Sequence, residues 1–347
     1  MKILMPYVDI SGGDISNKKI SGGTELFSRL ICDNFDVVVF PIPWTTDNKQ
    51  NKQYQNSLIK TFYDEKCDLV LSNNFKSVCF YALRDLGIPI MHITHTNYGL
   101  ANSNQIIAAV ESHGHSIFGV SQFNIDYHQN KSKRLSIPEL NYSGFLRPAY
   151  CSYDLPVETN PTDNVITIGR ANTYKAPFII YKALKESKYK PLVITSLGVD
   201  HDSVTYYERH KDKHHLIDLP HDQVIDHLRK SACSIITCTN ETFGITALES
   251  LSVGTPVLIR TNDKGRHASE EIAATESHYR CFKTDADRAE IEQKLDELVK
   301  LDRTEIKEMT QEKHSKQKWV SEFSRAFDMT IEKYKKHKSK SDLNQFF

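Results

Sequence analysis

Short apolar runs alternate with longer amphipathic stretches along most of the chain, and this alternation limits the fold more than any other feature. In the first half the runs predict strands at Lys2–Val8, Val37–Pro41, Leu69–Ser72, Ile88–Thr94 and Ser116–Val120. In the second half they predict strands at Val165–Ile168, Leu192–Ile194, His215–Ile217, Ser234–Thr237 and Pro256–Ile259. Strands that alternate with helices form parallel sheets covered by helices. The sequence therefore predicts an α/β protein.

The chain is long enough for two domains, because it has 347 residues. Residues 147–164 are rich in Pro, Asp and Asn and separate the two series of strands, as an interdomain linker does. We therefore expect two Rossmann-like domains, at residues 1–150 and 163–303. A helical segment is expected at residues 304–335, and a basic tail with an apolar end at residues 336–347.

Composition narrows the functional class only moderately. Lys and Arg total 44, and Asp and Glu total 44, so a polyanionic partner would need a local basic patch. The seven cysteines include no C-x-x-C pair, which argues against a zinc site or a disulfide framework. No run of about 18 apolar residues predicts a transmembrane helix. We expect a cytoplasmic protein.

Two glutamates stand in the most informative segment, residues 239–257, which reads Thr-Asn-Glu-Thr-Phe-Gly-Ile-Thr-Ala-Leu-Glu-Ser-Leu-Ser-Val-Gly-Thr-Pro-Val. Glu241 precedes a predicted helix and Glu249 lies within it. Carboxylates accept two hydrogen bonds and so suit vicinal hydroxyl groups. The helix amino terminus can bind a diphosphate through backbone amides, and its residues are Phe243, Gly244, Ile245 and Thr246. The alternative is an ordinary αβ unit with two solvated glutamates.

A second segment, Val-Ile-Thr-Ile-Gly-Arg-Ala-Asn-Thr-Tyr-Lys, runs from a predicted strand into a turn at Gly169 and Arg170 and ends at Lys175. Two cations at such a turn can neutralise charge that develops on a leaving phosphate, without a metal ion. The alternative is that Arg170 and Lys175 are ordinary surface residues.

Together the two segments resemble retaining glycosyltransferases of family 4, which have the GT-B fold of two Rossmann-like domains facing across a cleft. The resemblance implies that Glu241 holds hydroxyls of the donor sugar and that Glu249 holds the nucleotide ribose. It also implies that Arg170 and Lys175 cradle the donor phosphates. Members of that family often have glycine where this chain has Ala176, so the local turn geometry here is an open question.

The first domain carries two further similarities to that family. Ser-Gly-Gly-Thr-Glu at residues 21–25 resembles its glycine-rich loop, and glycines such as Gly22 and Gly23 let a backbone approach a phosphate or sugar closely. His95 follows a predicted buried strand, at the position where the family's imidazole contacts the donor sugar. His92 alternates with His95 along the strand and competes for this role.

The resemblance implies transfer of a sugar from a nucleotide diphosphate donor to an acceptor hydroxyl, with anomeric configuration retained. No Asp-x-Asp motif indicates a divalent metal, and we expect no cofactor besides the donor, for which UDP-sugar is the usual choice. We expect a same-face displacement in which the leaving phosphate takes the acceptor's proton. A non-catalytic protein that binds sugar nucleotides is the alternative from another class.

The chain ends with Leu343, Phe346 and Phe347 after a lysine-rich stretch. This spacing resembles peptides that dock on sliding clamps, including the tails of T4-like phage proteins, although Lys340 occupies the place of the usual glutamine. We expect these residues to bind either a clamp or the protein itself.

A basic cluster, formed by Lys131, Lys133 and Arg134, lies in the expected acceptor domain and could contact phosphates. With the clamp-like tail it favours a phage enzyme that glycosylates hydroxymethylated bases in double-stranded DNA. A transferase for surface polysaccharide or lipid acceptors is the alternative, and the cluster would then be a solvated turn.

Overall fold

The computed structural model describes residues 1–8, 23–42, 48–73, 87–95, 113–136, 141–151, 153–197, 201–261 and 267–344. The chain divides into two compact units. Unit 1 contains residues 1–149 and 317–347, and unit 2 contains residues 150–316.

Unit 1 is built on a parallel sheet of six strands in the order β2-β1-β3-β4-β5-β6. Its strands are β1 (Lys2–Val8), β2 (Asp36–Ile42), β3 (Leu69–Ser72), β4 (Ile90–Thr94), β5 (Ser116–Gly119) and β6 (Gly144–Phe145). In the described ranges its helices are α1 (Gly23–Asn34), α2 (Asn48–Asp64), α3 (Gln122–Leu135) and, after unit 2, α10 (Lys316–Asn344).

The central strands of unit 1 are buried on both faces, which explains their continuous apolar runs. All residues of β3, β4 and β5 are buried. One cluster of the core joins Leu4 and Val70 of the sheet to Leu58 and Phe62 of α2. Because parallel strands end at the same edge of a sheet, the residues that follow β3, β4 and β5 come together there.

Unit 2 has a second parallel sheet of six strands in the order β12-β11-β10-β7-β8-β9. Its strands are β7 (Thr162–Arg170), β8 (Lys190–Ser196), β9 (Leu216–Ile217), β10 (Ser231–Ile236), β11 (Val257–Thr261) and β12 (Tyr279–Lys283). Its helices are α4 (Ile180–Ala183), α5 (His201–Glu208), α6 (His221–Lys230), α7 (Ile245–Ser252), α8 (Arg288–Leu298) and α9 (Arg303–Lys313). Three 3₁₀ turns lie at Pro177–Ile179, Ala268–Glu271 and Glu276–His278.

The order of the second sheet places β10 beside β7. The loops that follow these two strands therefore leave the same edge of the sheet side by side. Those loops carry the Gly-Arg segment and the segment with the two glutamates, so the topology alone brings both predicted donor segments together. This edge is where doubly wound α/β proteins bind ligands.

The carboxyl-terminal part of the chain differs from the sequence-based expectation. The expected segment at residues 304–335 is two helices, α9 and α10, which belong to different units. The basic tail expected from residue 336 is wrong over residues 336–344, because α10 continues to Asn344. Buried aromatic residues anchor the first turns of α10 and its helical periodicity carries on past them, whereas the run of lysines suggested an end.

No helix in the described ranges is long and apolar enough to cross a membrane.

Candidate donor-binding site

The turn after β7 directs Lys175 back over the end of its own strand. The side-chain carbonyl of Asn172 accepts a hydrogen bond from the backbone N–H of Lys175 at 2.8 Å, and the hydroxyl of Thr237 donates to the Lys175 carbonyl at 2.7 Å. A Cβ atom on Gly169 would lie 3.3 Å from Cβ of Lys175. The small size of Gly169 therefore leaves room for the stem of the lysine.

Ala176 completes this turn in a left-handed conformation, with φ 44° and ψ 47°. Glycine adopts this region without a steric penalty, whereas alanine does so at a cost of about 1–2 kcal/mol. The sequence left the turn geometry open at this position. The structure shows that alanine takes the conformation that glycine favours.

The segment after β10 reaches α7 through Gly244, whose φ of 99° and ψ of 57° lie outside the region that side chains prefer. A Cβ atom here would also lie 2.2 Å from the hydroxyl oxygen of Ser269, so the position requires glycine. No side chain caps this end of α7. The first backbone N–H groups of α7, from Ile245 and Thr246 onwards, are thus suited to an anion.

Lys175 and Glu241 form an ion pair between the two loops. Burial alone would lower the pKa of Lys175, but the charge of Glu241 and its hydrogen bond raise the pKa above its usual value. Burial likewise acts to raise the pKa of Glu241, and the charge of Lys175 outweighs it and lowers that pKa. Both groups are therefore ionised over the physiological range.

Arg170 is the exposed last residue of β7. Its charge is near enough to act against the raised pKa of Lys175. The structure thus brings three predicted residues together at one sheet edge: two cations and the carboxylate of Glu241. Phe243 is buried beside this group and anchors the loop in the core.

His267 supports this loop and was not predicted from the sequence. Its Nε2–H donates to the Cys238 carbonyl at 2.7 Å, and its Nδ1 accepts from the backbone N–H of Ser269 at 3.1 Å. Burial lowers the pKa of His267, so the ring is neutral. Its two hydrogen bonds connect the two loops. The sequence gave no signal, because the contact joins segments far apart in the chain.

Glu249 lies on the buried face of α7, and burial raises its pKa to about 8. Its Oε1 lies 3.3 Å from Nε2 of His221, the first residue of α6. Glu249 is therefore a neutral carboxylic acid at pH 7 in the free protein, unlike Glu241. Among the described residues, Glu241 faces a lysine and Glu249 does not, so the two predicted glutamates differ in charge.

In unit 1, His95 follows β4 and is hydrogen-bonded through Nε2 to Oδ1 of Asn73 at 2.5 Å. The amide nitrogen of Asn73 donates to the hydroxyl oxygen of Ser28 at 2.5 Å, which fixes the orientation of the amide. Burial lowers the pKa of His95 to about 3, so the ring is neutral. His92 lies within β4 with no exposed surface, so His95, beyond the strand end, is better placed to meet a ligand.

Three other predicted groups have different outcomes. Gly22 lies outside the described residues, and Gly23 is the first residue of α1. The cluster of Lys131, Lys133 and Arg134 lies in the last turns of α3, where cations favour the negative end of the helix dipole.

In the tail, Leu343 is in the last turn of α10, and nothing is described of its side chain. Phe346 and Phe347 lie outside the described residues. The docking surface expected from these three residues therefore stays a prediction.

Comparison with known families addresses unit 2 directly, because the family described as glycosyl transferases group 1 matches residues 157–317. The match confirms the prediction that the chain is a glycosyltransferase. No curated protein matches the chain in sequence.

Solved structures resemble both units together. A glycosyltransferase from Rickettsia africae has a TM-score of 0.70 at 13% identity, over 95% of this chain and 98% of that one. Sucrose-phosphate synthase from Thermosynechococcus elongatus has a TM-score of 0.68 at 11% identity, over 94% and 98%. HepE from Anabaena, in complex with UDP-glucose, has a TM-score of 0.62 at 14% identity, over 96% and 99%. The predicted GT-B fold class is confirmed.

Proposed function

We propose that the protein is a retaining glycosyltransferase that transfers a sugar from a UDP-sugar to an acceptor hydroxyl. The observation that carries the proposal is the ion pair of Lys175 and Glu241, beside Arg170 and the uncapped amino terminus of α7. HepE, a structural neighbour, binds UDP-glucose, which supports the choice of donor.

In the free protein Lys175 and Glu241 form an ion pair with each other. On binding, the donor would replace each of these partners. The diphosphate would take the positive charge of Lys175, with Arg170 beside it. The carboxylate of Glu241 would turn to the hydroxyls of the sugar, and Glu249 would hold the ribose. Fixed cations that meet charge as it develops on the leaving phosphate lower the barrier without rearrangement.

Retention is proposed because the two donor segments resemble those of retaining glycosyltransferases, and the site limits how retention can be achieved. In the described part of unit 2, Glu241 is the carboxylate that pairs with Lys175, and it is assigned to sugar hydroxyls rather than to the anomeric carbon. The acceptor hydroxyl therefore attacks from the face that the phosphate leaves, and the phosphate oxygen takes its proton. The protein's part is to orient the reactants and stabilise charge.

The test is turnover of UDP-sugars by Lys175→Ala and Arg170→Ala, with Lys182→Ala on the exposed side of α4 as a matched control. Each site variant should lose about a hundredfold in kcat, as expected for one lost contact to transition-state charge. The control should keep wild-type kcat. Wild-type turnover in both site variants would overturn the assignment, and binding of UDP-sugars without any turnover would support a sugar-nucleotide sensor instead.

A metal ion is not part of this proposal. In the described ranges, no group of three or more His, Cys, Asp or Glu side chains is arranged to hold one. EDTA should therefore leave activity largely intact. Complete loss of activity that only Mg²⁺ or Mn²⁺ restores would contradict the proposed role of the two cations.

For the acceptor we propose hydroxymethylated bases in double-stranded DNA, on the support of Lys131, Lys133 and Arg134 in α3. Lys133 and Arg134 are exposed, as contact with phosphates requires. Labelled UDP-sugars would be incubated with hydroxymethylated DNA, unmodified DNA, lipid acceptors and glycans. Label in the lipid or glycan samples alone would replace DNA by a surface polysaccharide or lipid acceptor.

Docking on a sliding clamp through Leu343, Phe346 and Phe347 is the proposal for the end of the chain. Because α10 reaches Asn344, the docking segment would extend directly from a helix rather than from a flexible lysine tether. Deletion of residues 343–347 should abolish clamp binding in a pull-down and leave kcat unchanged. An intact protein that shows no clamp affinity at micromolar concentration would end this proposal.

A further inference from the structure

Two polar side chains in unit 2 contact a single ring nitrogen of a third residue, a histidine. Nε2 of His221 lies 2.6 Å from the hydroxyl of Tyr153 and 3.3 Å from Oε1 of Glu249. The rings of Tyr153 and His221 are stacked, with centroids 5.9 Å apart and planes at 20°. The arrangement connects the segment before β7, the start of α6 and the middle of α7.

The backbone around this cluster is held in place from a fourth direction. The side-chain amide of Gln311 donates to the carbonyl of Tyr153 at 3.1 Å. Packing of Tyr153 against the ring then fixes the plane of the imidazole. His221 therefore presents Nε2 to Glu249 in a defined orientation, although it is the first residue of its helix.

The hydrogen bonds that Nε2 of His221 makes with Tyr153 and Glu249 depend on the protonation state of the ring. A neutral ring that carries its proton on Nδ1 accepts through Nε2, from the hydroxyl of Tyr153 or the carboxyl of Glu249. A protonated ring donates through Nε2, and the oxygens of Tyr153 and Glu249 both become acceptors. The tyrosine hydroxyl fits either state because it rotates.

Ribose binding requires the second state, in which the ring of His221 is protonated and Glu249 acts only as a hydrogen-bond acceptor. Its two vicinal hydroxyls donate hydrogen bonds, and a carboxylate accepts both, whereas a carboxylic acid keeps one position as a donor. A bare carboxylate on the buried face of α7 would be costly unless a positive group faced it. Nε2 of His221 is placed to become that group.

We infer that His221 is the positioning residue and proton acceptor of Glu249, so that ribose binding moves the carboxyl proton of Glu249 to Nε2 of His221. The inference rests on the proposed ribose role of Glu249. The O–H bond of Glu249 breaks, an N–H bond forms on His221, and no proton leaves the site. Glu249 and His221 then hold the ribose as an ion pair of zero net charge.

The groups around His221 and Glu249 define the protonation state from which this transfer would start. Among the described residues, the titratable or charged groups that face it are Tyr153 from the segment before β7, Asp222 on its own helix and Glu249 on α7. Burial lowers the pKa of His221, and Asp222 opposes that shift. Burial raises the pKa of Glu249, so both partners are neutral in the free protein at pH 7.

The test measures UDP binding by calorimetry at pH 6–8 in two buffers of different ionisation enthalpy, which counts protons. Wild-type protein should release no proton beyond those from the terminal phosphate of UDP, which titrates at about pH 6, and its affinity should vary only with that phosphate. His221→Gln should release about one further proton below pH 8, and its affinity should fall about tenfold more for each pH unit of acidification. His214→Gln, an exposed histidine of the same unit, is the matched control and should match wild type.

A second readout follows the ring itself. Nitrogen-15 NMR at pH 7 should show His221 as a neutral ring in the free protein and as imidazolium with UDP bound. A ring that stays neutral with UDP bound overturns the inference. So does a His221→Gln variant with wild-type proton count and pH dependence, whose thermal unfolding confirms that it is folded.

Glu249→Gln separates this inference from the function on which it rests. If that variant binds UDP as well as wild type does, the ribose role of Glu249 is wrong and the inference fails with it. If that variant binds UDP weakly while His221→Gln behaves like wild type, the ribose role stands and the inference alone is overturned.

Discussion

At the scale of single residues, the structural role of Lys175 can be separated from its proposed catalytic role. It would contact the donor phosphates, and in the free protein it neutralises Glu241, which is largely buried. Removing one partner of such a pair leaves an uncompensated charge, whereas removing both is often nearly neutral for stability. The structural role and the catalytic role therefore respond differently to a double substitution.

We predict that Lys175→Met lowers the free energy of unfolding by about 3 kcal/mol. Lys175→Met combined with Glu241→Leu should recover most of that loss and remain inactive. Urea denaturation and UDP-sugar turnover measure the two properties. Equal stability of wild type and Lys175→Met would show that the pair contributes little, and full activity in the double variant would remove both residues from the site.

The raised pKa of Glu249 predicts that the free energy of unfolding depends on pH. Its pKa of about 8 in the folded protein lies above the ordinary value of 4.5 for a glutamate, so the folded state keeps a proton that the unfolded chain releases. This contribution is fully present below pH 4.5 and is lost as the pH rises towards 8. The loss is at most about 1.4 kcal/mol for each pH unit.

Glu249→Gln cannot lose this proton and is the matched comparison. Urea denaturation at pH 5, 6, 7 and 8 should show wild type losing free energy of unfolding relative to the variant. A difference between the two proteins that stays constant across this range would contradict the raised pKa of Glu249.

The sequence located the charged residues of the candidate donor site, but not the residues that hold them in place. Arg170, Lys175 and Glu241 stand in recognisable local patterns, and the neighbouring strands β7 and β10 bring those patterns together. Asn73 and His221 could not be predicted, because their partners lie in other segments of the chain. A contact of that kind depends on tertiary packing, which no local spacing encodes.

At the scale of elements, two short turns set the positions of the charged groups. Ala176 adopts a positive φ at a steric cost, whereas Gly244 adopts a positive φ without that cost. We predict that Ala176→Gly raises the free energy of unfolding by about 1 kcal/mol, because the steric relief exceeds the entropy that glycine adds to the unfolded chain.

The reverse exchange, from glycine to alanine at Gly244, should lower the free energy of unfolding. Gly244→Ala adds strain and places a methyl group against the hydroxyl of Ser269, so a loss of about 2 kcal/mol or more is expected. Thermal unfolding of both variants checks the pair. A stabilising Gly244→Ala or a destabilising Ala176→Gly would mean that these turns do not hold the conformations described.

Buried strands were the most predictable elements. β1 and β3 have the predicted ends, since their apolar runs are bounded by polar residues. β6 and β12 were not predicted, because each is only partly buried and neither has a continuous apolar run.

At the scale of the whole molecule, the chain returns to unit 1 after completing unit 2. Helix α10 contributes large aromatic side chains to the core of unit 1. The ring centroids of Phe27 and Phe323 are 5.5 Å apart, and those of Phe35 and Phe327 are 5.2 Å apart. The indole N–H of Trp319 donates to the carbonyl of Arg147 at 2.8 Å. The domain division expected from the sequence missed this return.

This division makes a prediction about fragments. Each of the aromatic residues Trp319, Phe323 and Phe327 is almost completely buried, and burying such a side chain contributes about 2 kcal/mol or more. Their sum is comparable to the whole stability of a typical domain. A fragment of residues 1–149 should therefore fail to fold alone, and addition of a peptide of residues 317–347 should restore cooperative unfolding. A peptide with Phe323→Ala and Phe327→Ala is the control and should not restore it.

Residues 150–316 hold a complete sheet with its own core and should fold without the rest of the chain. Circular dichroism and thermal unfolding measure both outcomes. A stable, cooperatively unfolding fragment 1–149 would mean that α10 is dispensable for the core of unit 1.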